Sequence, residues 1–191
     1  MKVVIDTSSL LSLVRYYLPF DKQAILFEAI KSKIANGEIL VIDKIIEECQ
    51  YTSKGIVLTK LSFLTEKLFN KTHKLPLNTE FILPPSPGKF YRMVDNNFVV
   101  NVQKTRLTGT QYDSLKNDFM NSADMKLILT SLNIKKDFPT EEVFLVTEET
   151  EVSNDNKLFK KIPAICSELG MQTINIQQLI DKFKGITIEI K

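Results

Sequence analysis

Acidic residues follow buried-strand patterns or lie near helix starts at four places in the chain, which is where an α/β fold places its chemistry. Asp6 directly follows the first short apolar run, and Glu48 lies one turn into the helix expected after the second run. Glu148 and Glu149 follow a third such run, and Asp124 lies near the start of the helix before it. Because ligands of open α/β sheets bind outside the carboxyl ends of the strands, we expect these carboxylates to share one site.

Carboxylates that crowd together repel one another and raise each other's pKa, and a divalent cation removes that conflict. Oxygen ligands without nitrogen or sulfur select Mg²⁺ or Mn²⁺, and such a site suits phosphodiester hydrolysis. The numbers of histidine, cysteine and glycine residues exclude several other kinds of site. A single histidine, His73, and two distant cysteines, Cys49 and Cys166, exclude a zinc ribbon or a disulfide scaffold. The six glycines are all isolated, so no phosphate-binding glycine loop can be written.

Each acidic residue also has a simpler interpretation. Asp6 could be an ordinary helix N-cap, as Asp43 and Ser122 could be. Glu48 could lie on a solvated helix face, and the run 148–151 could be an acidic surface loop. Taken one at a time, these interpretations are favoured, and spacing alone leaves the metal site a weak hypothesis.

Short β-branched runs alternate with helical patterns along the chain, which predicts an α/β fold around a mostly parallel sheet. Strands are expected over 3–5, 39–42, 143–146 and 173–176, with a possible strand over 98–102 and a possible edge strand over 186–190. Helices are expected from Asp6, over 22–36 with Gly37 as the stop, from Asp43, over 60–69, from 111, from Ser122, over 158–169 and over 177–183.

The order of these pieces resembles the PIN-domain nucleases, and among them the VapC-like toxins and their relatives. The residues that carry the resemblance are Val3-Val4-Ile5-Asp6-Thr7-Ser8-Ser9, Ile45-Ile46-Glu47-Glu48-Cys49, Ala123-Asp124-Met125-Lys126-Leu127-Ile128-Leu129 and Val146-Thr147-Glu148-Glu149. The segment 160–171, with Lys161-Ile162-Pro163 and Cys166, resembles a prokaryotic PIN branch whose fourth acid is Glu. The resemblance covers about residues 1–50 and 111–180.

The resemblance implies a three-layer α/β/α sandwich and metal-dependent cleavage of RNA phosphodiester bonds by an endoribonuclease, the toxin of a toxin–antitoxin pair. Asp6, Glu48 and Asp124 would bind one Mg²⁺ or Mn²⁺, and Glu149 would help a second ion or orient water. Ser8 would help to orient the site.

The fourth acid departs from the Thr-x-Asp pattern of the family, because Glu149 follows Thr147 at that position. Glu148 and Asp155 stay open as alternatives for the same role. Thr147 itself is a weak candidate for orienting the site.

The segment 71–110 differs from the rest and is interpreted as an insertion within a single domain that spans residues 1–191. It is rich in proline, and over 71–106 it holds six Lys or Arg against two Asp or Glu. We expect Phe81 and Phe98 to pack onto the core. Three residues are weak RNA-contact candidates: Lys89, Tyr91 and Arg92. Lys157, Lys160 and Lys161 follow the acidic loop and are further candidates for phosphate contact.

The expected partners are an RNA substrate, a small antitoxin and a second copy of the chain. No membrane partner is expected, because no apolar stretch is long enough to span a bilayer, and a cytoplasmic location follows. The net charge is only +2. If four acidic residues are neutralised by bound cations, the remainder carries +6, so near-neutrality does not exclude RNA.

Two rival functions belong to other classes. A PIN-like scaffold could bind RNA or protein without cutting. An aspartyl-phosphate phosphatase would need a second Asp where this chain has Ser8, so we rank it low.

Overall fold

The protein is a three-layer α/β/α sandwich built on four parallel strands, as seen in a computed structural model that describes residues 1–150 and 157–183. The strands are β1 (Lys2–Ile5), β2 (Ile39–Leu40), β3 (Val143–Val146) and β4 (Gln172–Ile174). The helices are α1 (Thr7–Ser12), α2 (Ile25–Ala35), α3 (Asp43–Tyr51), α4 (Ile56–Lys60), α5 (Lys67–His73), α6 (Pro87–Met93), α7 (Asn101–Lys104), α8 (Gly109–Asn121), α9 (Ala123–Asp137), α10 (Ile162–Glu168) and α11 (Ile176–Asp181).

The strand order is β2-β1-β3-β4. The chain adds β2 on one side of β1 and then crosses over to add β3 and β4 on the other side. Val3 pairs with Ile39 on one side, and Ile5 pairs with Val146 on the other. Strands β1 and β3 therefore end side by side. This is the topological switch point, where α/β sheets bind their ligands.

The sheet is buried on both faces, as its unbroken apolar runs predict. Val3, Val4 and Ile5 of β1 have no exposed surface, and Leu145 and Val146 of β3 are equally buried. Helix α9 packs across β1 and β3 and contacts both α3 and α10. Helix α2 packs on β2, and α1 contacts α11.

Helix α9 has buried residues around most of its circumference, including Lys126, Thr130 and Ser131, which explains why its sequence has no clean polar face. The predicted Ser122 cap is confirmed, because its hydroxyl accepts a hydrogen bond from the Met125 amide at 3.2 Å. The cap fixes where α9 begins and therefore places Asp124 in its first turn.

Several local predictions are corrected. The predicted helix over 60–69 is three short helical pieces: α4, a 3₁₀ turn over Ser62–Thr65, and α5. Asp43 does not cap α3 but is its first residue, and its carboxylate accepts a hydrogen bond from the Thr79 amide at 3.0 Å. The stop at Gly37 is confirmed, since Gly37 has a φ of +64° just after α2.

The predicted insertion is helical and contributes to the same core. The expected strand over 98–102 is wrong: a π-helical turn over Val94–Phe98 precedes α7, and only a bridge joins Val99 to Phe159. Phe98 is fully buried as predicted, but Phe81 is 83% exposed, so its expected packing onto the core is wrong. Phe81 lies in an irregular stretch before α6, and α9 contacts this stretch through the Glu80 and Leu83 carbonyls and not through the Phe81 ring.

None of the helices among residues 1–150 and 157–183 is both long enough and apolar enough to cross a membrane. The possible edge strand over 186–190 lies outside the described residues.

Candidate acidic site at the strand ends

Asp6 is held rigidly at the carboxyl end of β1. Its Oδ1 accepts a hydrogen bond from the Ser9 amide at 2.7 Å and so caps α1, while its Oδ2 accepts one from the Ser8 hydroxyl at 2.7 Å. Asp6 is only 5% exposed. The simpler N-cap interpretation is therefore correct, and the same side chain also lines a pocket.

Ser8 joins the ends of the two central strands. Its hydroxyl donates to Asp6 and accepts a hydrogen bond from the Glu148 amide at 3.1 Å, 140 residues away. The Thr147 side chain is buried, and its hydroxyl accepts a hydrogen bond from the Glu149 amide at 3.1 Å. Ser8 and Thr147 thus fix the geometry of the residues that follow β1 and β3.

Glu48 reaches the same region from α3. Ile45 and Thr52, three and four residues away from it, line the pocket with it, as helical spacing requires. Its Oε2 accepts a hydrogen bond from the Thr7 hydroxyl at 2.6 Å. Thr7 and Thr52 were not among the predicted site residues, although both follow from the chain: Thr7 adjoins Asp6, and Thr52 is one helical turn beyond Glu48.

The structure separates the two candidate glutamates after β3. Glu149 lines the pocket, and its Oε2 accepts a hydrogen bond from the Ile162 amide at 3.1 Å. Glu148 is turned away, because its Oε1 accepts a hydrogen bond from the Ile176 amide at the start of α11, at 2.8 Å. Asp155, the other alternative, lies outside the described residues.

The surroundings of the Asp124 carboxyl group raise its pKa. Desolvation raises its pKa first, and the negative charges of Glu149, Glu48 and Asp6 raise it further, to about 6. The positive charge of Lys157 lowers the pKa of Asp124. The Asp124 side chain is nevertheless open to solvent at the pocket, so water screens part of this repulsion. The four acids therefore interact electrostatically across one space.

That space is a pocket of about 240 Å³. It is lined by Asp6, Thr7, Ser8, Leu11, Ile45, Glu48, Thr52, Asp124 and Glu149. Within residues 1–150 and 157–183, no three acidic, histidine or cysteine side chains converge into a group that could hold an ion as they stand. A shared cation therefore requires these carboxylates to rotate toward one another.

The donor set itself fits a hard divalent cation. All four acids offer carboxylate oxygens, and neither nitrogen nor sulfur ligands line the pocket. Cys49 lies beside Thr7, but burial raises the pKa of its thiol to about 12, so it is protonated at neutral pH. Cys49 is also fully buried and does not line the pocket, so the pocket offers no cysteine nucleophile.

The basic candidates are distributed differently. Lys89 and Arg92 lie exposed on α6 and do not line the pocket, and the Arg92 Nε donates to the Gly88 carbonyl at 3.2 Å. Lys157 influences Asp124, as described above. Lys160 forms an ion pair with Glu168 at 3.2 Å.

The fold and the acidic pocket at its switch point define an α/β protein with a candidate hydrolytic or cation-binding site. One protein-family model matches residues 86–186 and is described as a domain of unknown function, DUF4411. Because the match covers more than half of the 191 residues, the chain belongs to this family. No curated protein and no solved structure matches the chain. The matched region contains Asp124 and Glu149, whereas Asp6 and Glu48 precede it.

Proposed function

We propose that the protein is a metal-dependent endoribonuclease that hydrolyses RNA phosphodiester bonds with Mg²⁺ or Mn²⁺. The observation that carries the proposal is the meeting of four carboxylates around one pocket at the switch point of the sheet. Each comes from a different part of the chain: the end of β1, helix α3, the first turn of α9 and the loop after β3. The resemblance to PIN-domain nucleases supports the same activity.

The repulsion among these acids supports a cation in particular. The pKa of Asp124 is raised by Glu149, Glu48 and Asp6, after desolvation, so the metal-free pocket carries an unfavourable accumulation of negative charge. When bound, the ion would activate a water molecule and neutralise charge on the phosphate. Asp6, Glu48 and Asp124 would hold it, and Glu149 would hold a second ion or orient water.

The neighbouring hydroxyls have defined tasks in this proposal. Ser8 and the Ser9 amide hold the Asp6 carboxylate in place, and Thr7 holds one oxygen of Glu48. The Ile162 amide holds one oxygen of Glu149. These hydrogen bonds keep the three side chains at the pocket, and the carboxylates must still rotate toward one another to share an ion.

The test is cleavage of labelled single-stranded RNA by purified variants in Mn²⁺. Asp6→Asn and Asp124→Asn should each abolish cleavage, a loss of at least about a hundredfold. Asn caps a helix as well as Asp does, so Asp6→Asn keeps the α1 cap and the fold.

Glu47→Gln is the matched control, because Glu47 neighbours Glu48 but pairs with Lys44 on the exposed face of α3, at 2.7 Å. It should retain full activity. Undiminished cleavage by both Asp6→Asn and Asp124→Asn would refute the assignment.

A second candidate function is a PIN-like scaffold that binds RNA or a protein without cutting. It is favoured by one observation, that no three potential ligands converge among the described residues. Titration calorimetry with Mn²⁺ separates the two functions. A nuclease should bind Mn²⁺ in a way that Asp6→Asn abolishes, whereas a scaffold should show no binding that depends on Asp6.

The toxin role, the antitoxin partner and a homodimer stay predictions from the resemblance. A short reading frame immediately upstream of this one would support an antitoxin.

A further inference from the structure

An acid-lined pocket repels a polyanion, so a nuclease of this kind needs positive charge near the pocket mouth to hold the chain it cuts. The net charge of +2 leaves no generally basic surface to do this. We therefore searched the residues that adjoin the pocket lining for exposed cations and aromatic rings.

The turn that follows α3 is the most unusual backbone segment beside the pocket. Thr52 lines the pocket, and the next three residues, Ser53, Lys54 and Gly55, have φ angles of 51°, 58° and 71°. Left-handed backbone is unfavourable for residues other than glycine. Two consecutive non-glycine residues are thus held in an unfavourable conformation at the edge of the candidate site, which is where strained backbone tends to occur in proteins.

Arg15 is tied to this turn. Leu11 lines the pocket from α1, and Arg15 lies four residues further on, within the π-helical turn Leu13–Tyr17. The Arg15 Nη2 donates to the Ser53 hydroxyl at 2.6 Å, which places the exposed guanidinium next to the residue that follows Thr52. Lys54 is exposed on the same turn.

An exposed aromatic side chain lies on the same segment of the chain as Lys54. Tyr51 is the last residue of α3, directly before Thr52, and it is 84% exposed. A single exposed aromatic side chain needs no explanation by itself. Here, however, it directly precedes the pocket-lining Thr52, lies two residues before Ser53, which Arg15 contacts, and lies three residues before the exposed Lys54.

We propose that Arg15, Tyr51 and Lys54 form a binding rim for single-stranded RNA at the mouth of the acidic pocket. Tyr51 stacks on an unpaired base, and Arg15 and Lys54 contact the phosphates beside it. This inference rests on the proposed function, since it names the surface that presents the substrate to that site. Stacking requires an unpaired base, so the rim selects single strands over duplexes.

Lys89 and Arg92 on α6 are the alternative candidates for RNA contact. Lys89 and Arg92 are exposed, but no pocket-lining residue belongs to α6 or directly adjoins it. Arg15 is connected to the pocket edge by a direct hydrogen bond through Ser53. The structure therefore favours the rim over the α6 surface as the one that contacts RNA at the candidate site.

The experiment measures the affinity of the full chain for a short, unstructured, labelled RNA by fluorescence anisotropy, in EDTA and at several salt concentrations. Arg15→Gln and Lys54→Gln should each weaken binding and lower the slope of log affinity against log salt by about 0.7. Tyr51→Ala should weaken binding about tenfold and leave that slope unchanged.

Three controls accompany these variants. Lys71→Gln removes an exposed cation of α5, away from the pocket lining, and should bind like the unaltered protein. Lys54→Gly removes the same charge as Lys54→Gln but also relieves the left-handed strain, so it should fold at least as stably and still bind weakly. Lys89→Gln with Arg92→Gln tests the rival surface on α6.

The outcomes separate the rim from the catalytic proposal. Weaker binding by the rim variants supports the rim even if no cleavage is detected, in which case the nuclease proposal alone fails. Unchanged binding and cleavage in all three rim variants overturns the rim and leaves the nuclease intact. Loss of binding only in the α6 variants also overturns it. If the unaltered protein neither binds nor cuts RNA, both proposals fail.

Discussion

The protonation of Asp124 has a consequence for stability as well as for chemistry. Its pKa in the folded protein is raised to about 6 by desolvation and by Glu149, Glu48 and Asp6. The folded chain therefore holds a proton that the unfolded chain releases at lower pH. Between the ordinary aspartate pKa and about 6, the free energy of unfolding falls as the pH rises. Above about 6, the ionised Asp124 destabilises the folded protein to its full extent.

Asp124→Asn should accordingly stabilise the metal-free protein at neutral pH while removing its activity. Because Asp124 is open to solvent, screening limits the gain to about 1 kcal/mol, or roughly 2–4 °C in melting temperature. Thermal denaturation in EDTA at neutral pH and near pH 4 measures it.

The stabilisation should be mostly lost near pH 4, where Asp124 is protonated in the folded state and about half protonated in the unfolded state. Asp118→Asn, an exposed acid of α8, is the control and should show no such pH dependence. A melting temperature that is unchanged or lower in Asp124→Asn at neutral pH would contradict the repulsion argued for the pocket.

At the scale of elements, the segment from α6 to α8 is held together by a polar cluster that the sequence did not reveal. Asp95 lies in the π-helical turn, and its Oδ1 accepts hydrogen bonds from the Tyr112 hydroxyl at 2.7 Å and the Lys116 ammonium at 2.6 Å. Lys104 donates to the Asp95 carbonyl at 2.9 Å and lies over the Tyr112 ring. These contacts join the π-helical turn Val94–Phe98 to α7 and to α8.

Asp95→Asn should destabilise the protein by about 1–2 kcal/mol, because it removes the ion pair and weakens the hydrogen bond from Tyr112. Partial burial opposes ionisation, but the hydrogen bonds from Lys116 and Tyr112 hold the pKa of Asp95 below its ordinary value. The ionised Asp95 therefore stabilises the folded protein fully above the pKa that Asp95 has in the unfolded chain. This stabilisation is lost as the pH falls through the lower pKa of Asp95 in the folded protein.

Chemical denaturation at neutral and acidic pH checks this prediction. The difference between Asp95→Asn and the unaltered protein should shrink in acid. Asp113→Asn, on the exposed side of α8, should leave stability within about 0.5 kcal/mol at both pH values. A difference that grows as the pH falls would show that the cluster does not act through the Asp95 charge.

These elements also show which parts of the fold the sequence could and could not predict. The strands over 3–5 and 143–146 were predicted because they are buried on both faces and form unbroken apolar runs. The prediction of a strand over 98–102 was wrong, because Phe98 packs into the core from a helical turn. A short apolar run that is wholly buried looks the same in the sequence whether it forms a helix or a strand.

At the scale of the whole molecule, the candidate site combines ligands that no local pattern connects. Asp6 and Glu149 are 143 residues apart and meet only because β3 pairs with β1. The sequence placed all four acids at strand ends or helix starts. It could not separate Glu148 from Glu149, since that depends on which carboxylate reaches the start of α11.

Mn²⁺ should stabilise the folded chain as a whole, because its proposed ligands belong to elements from both halves of the chain. At a hundredfold excess over the dissociation constant, the expected gain is about 2.7 kcal/mol. The melting temperature with Mn²⁺ and after addition of EDTA measures this reversibly. Asp6→Asn should lose most of the gain, whereas Glu47→Gln should keep it, and an equal gain in Asp6→Asn would place the ion elsewhere.

The central position of β1 also sets the order in which the site can form during synthesis. This strand leaves the ribosome well before its neighbour β3, which begins only at Val143. Asp6 therefore lacks its partner until Glu149, 143 residues later, has been translated. With the proposed activity, a nascent chain would be unable to cut RNA until the segment that contains β3 and Glu149 had been translated.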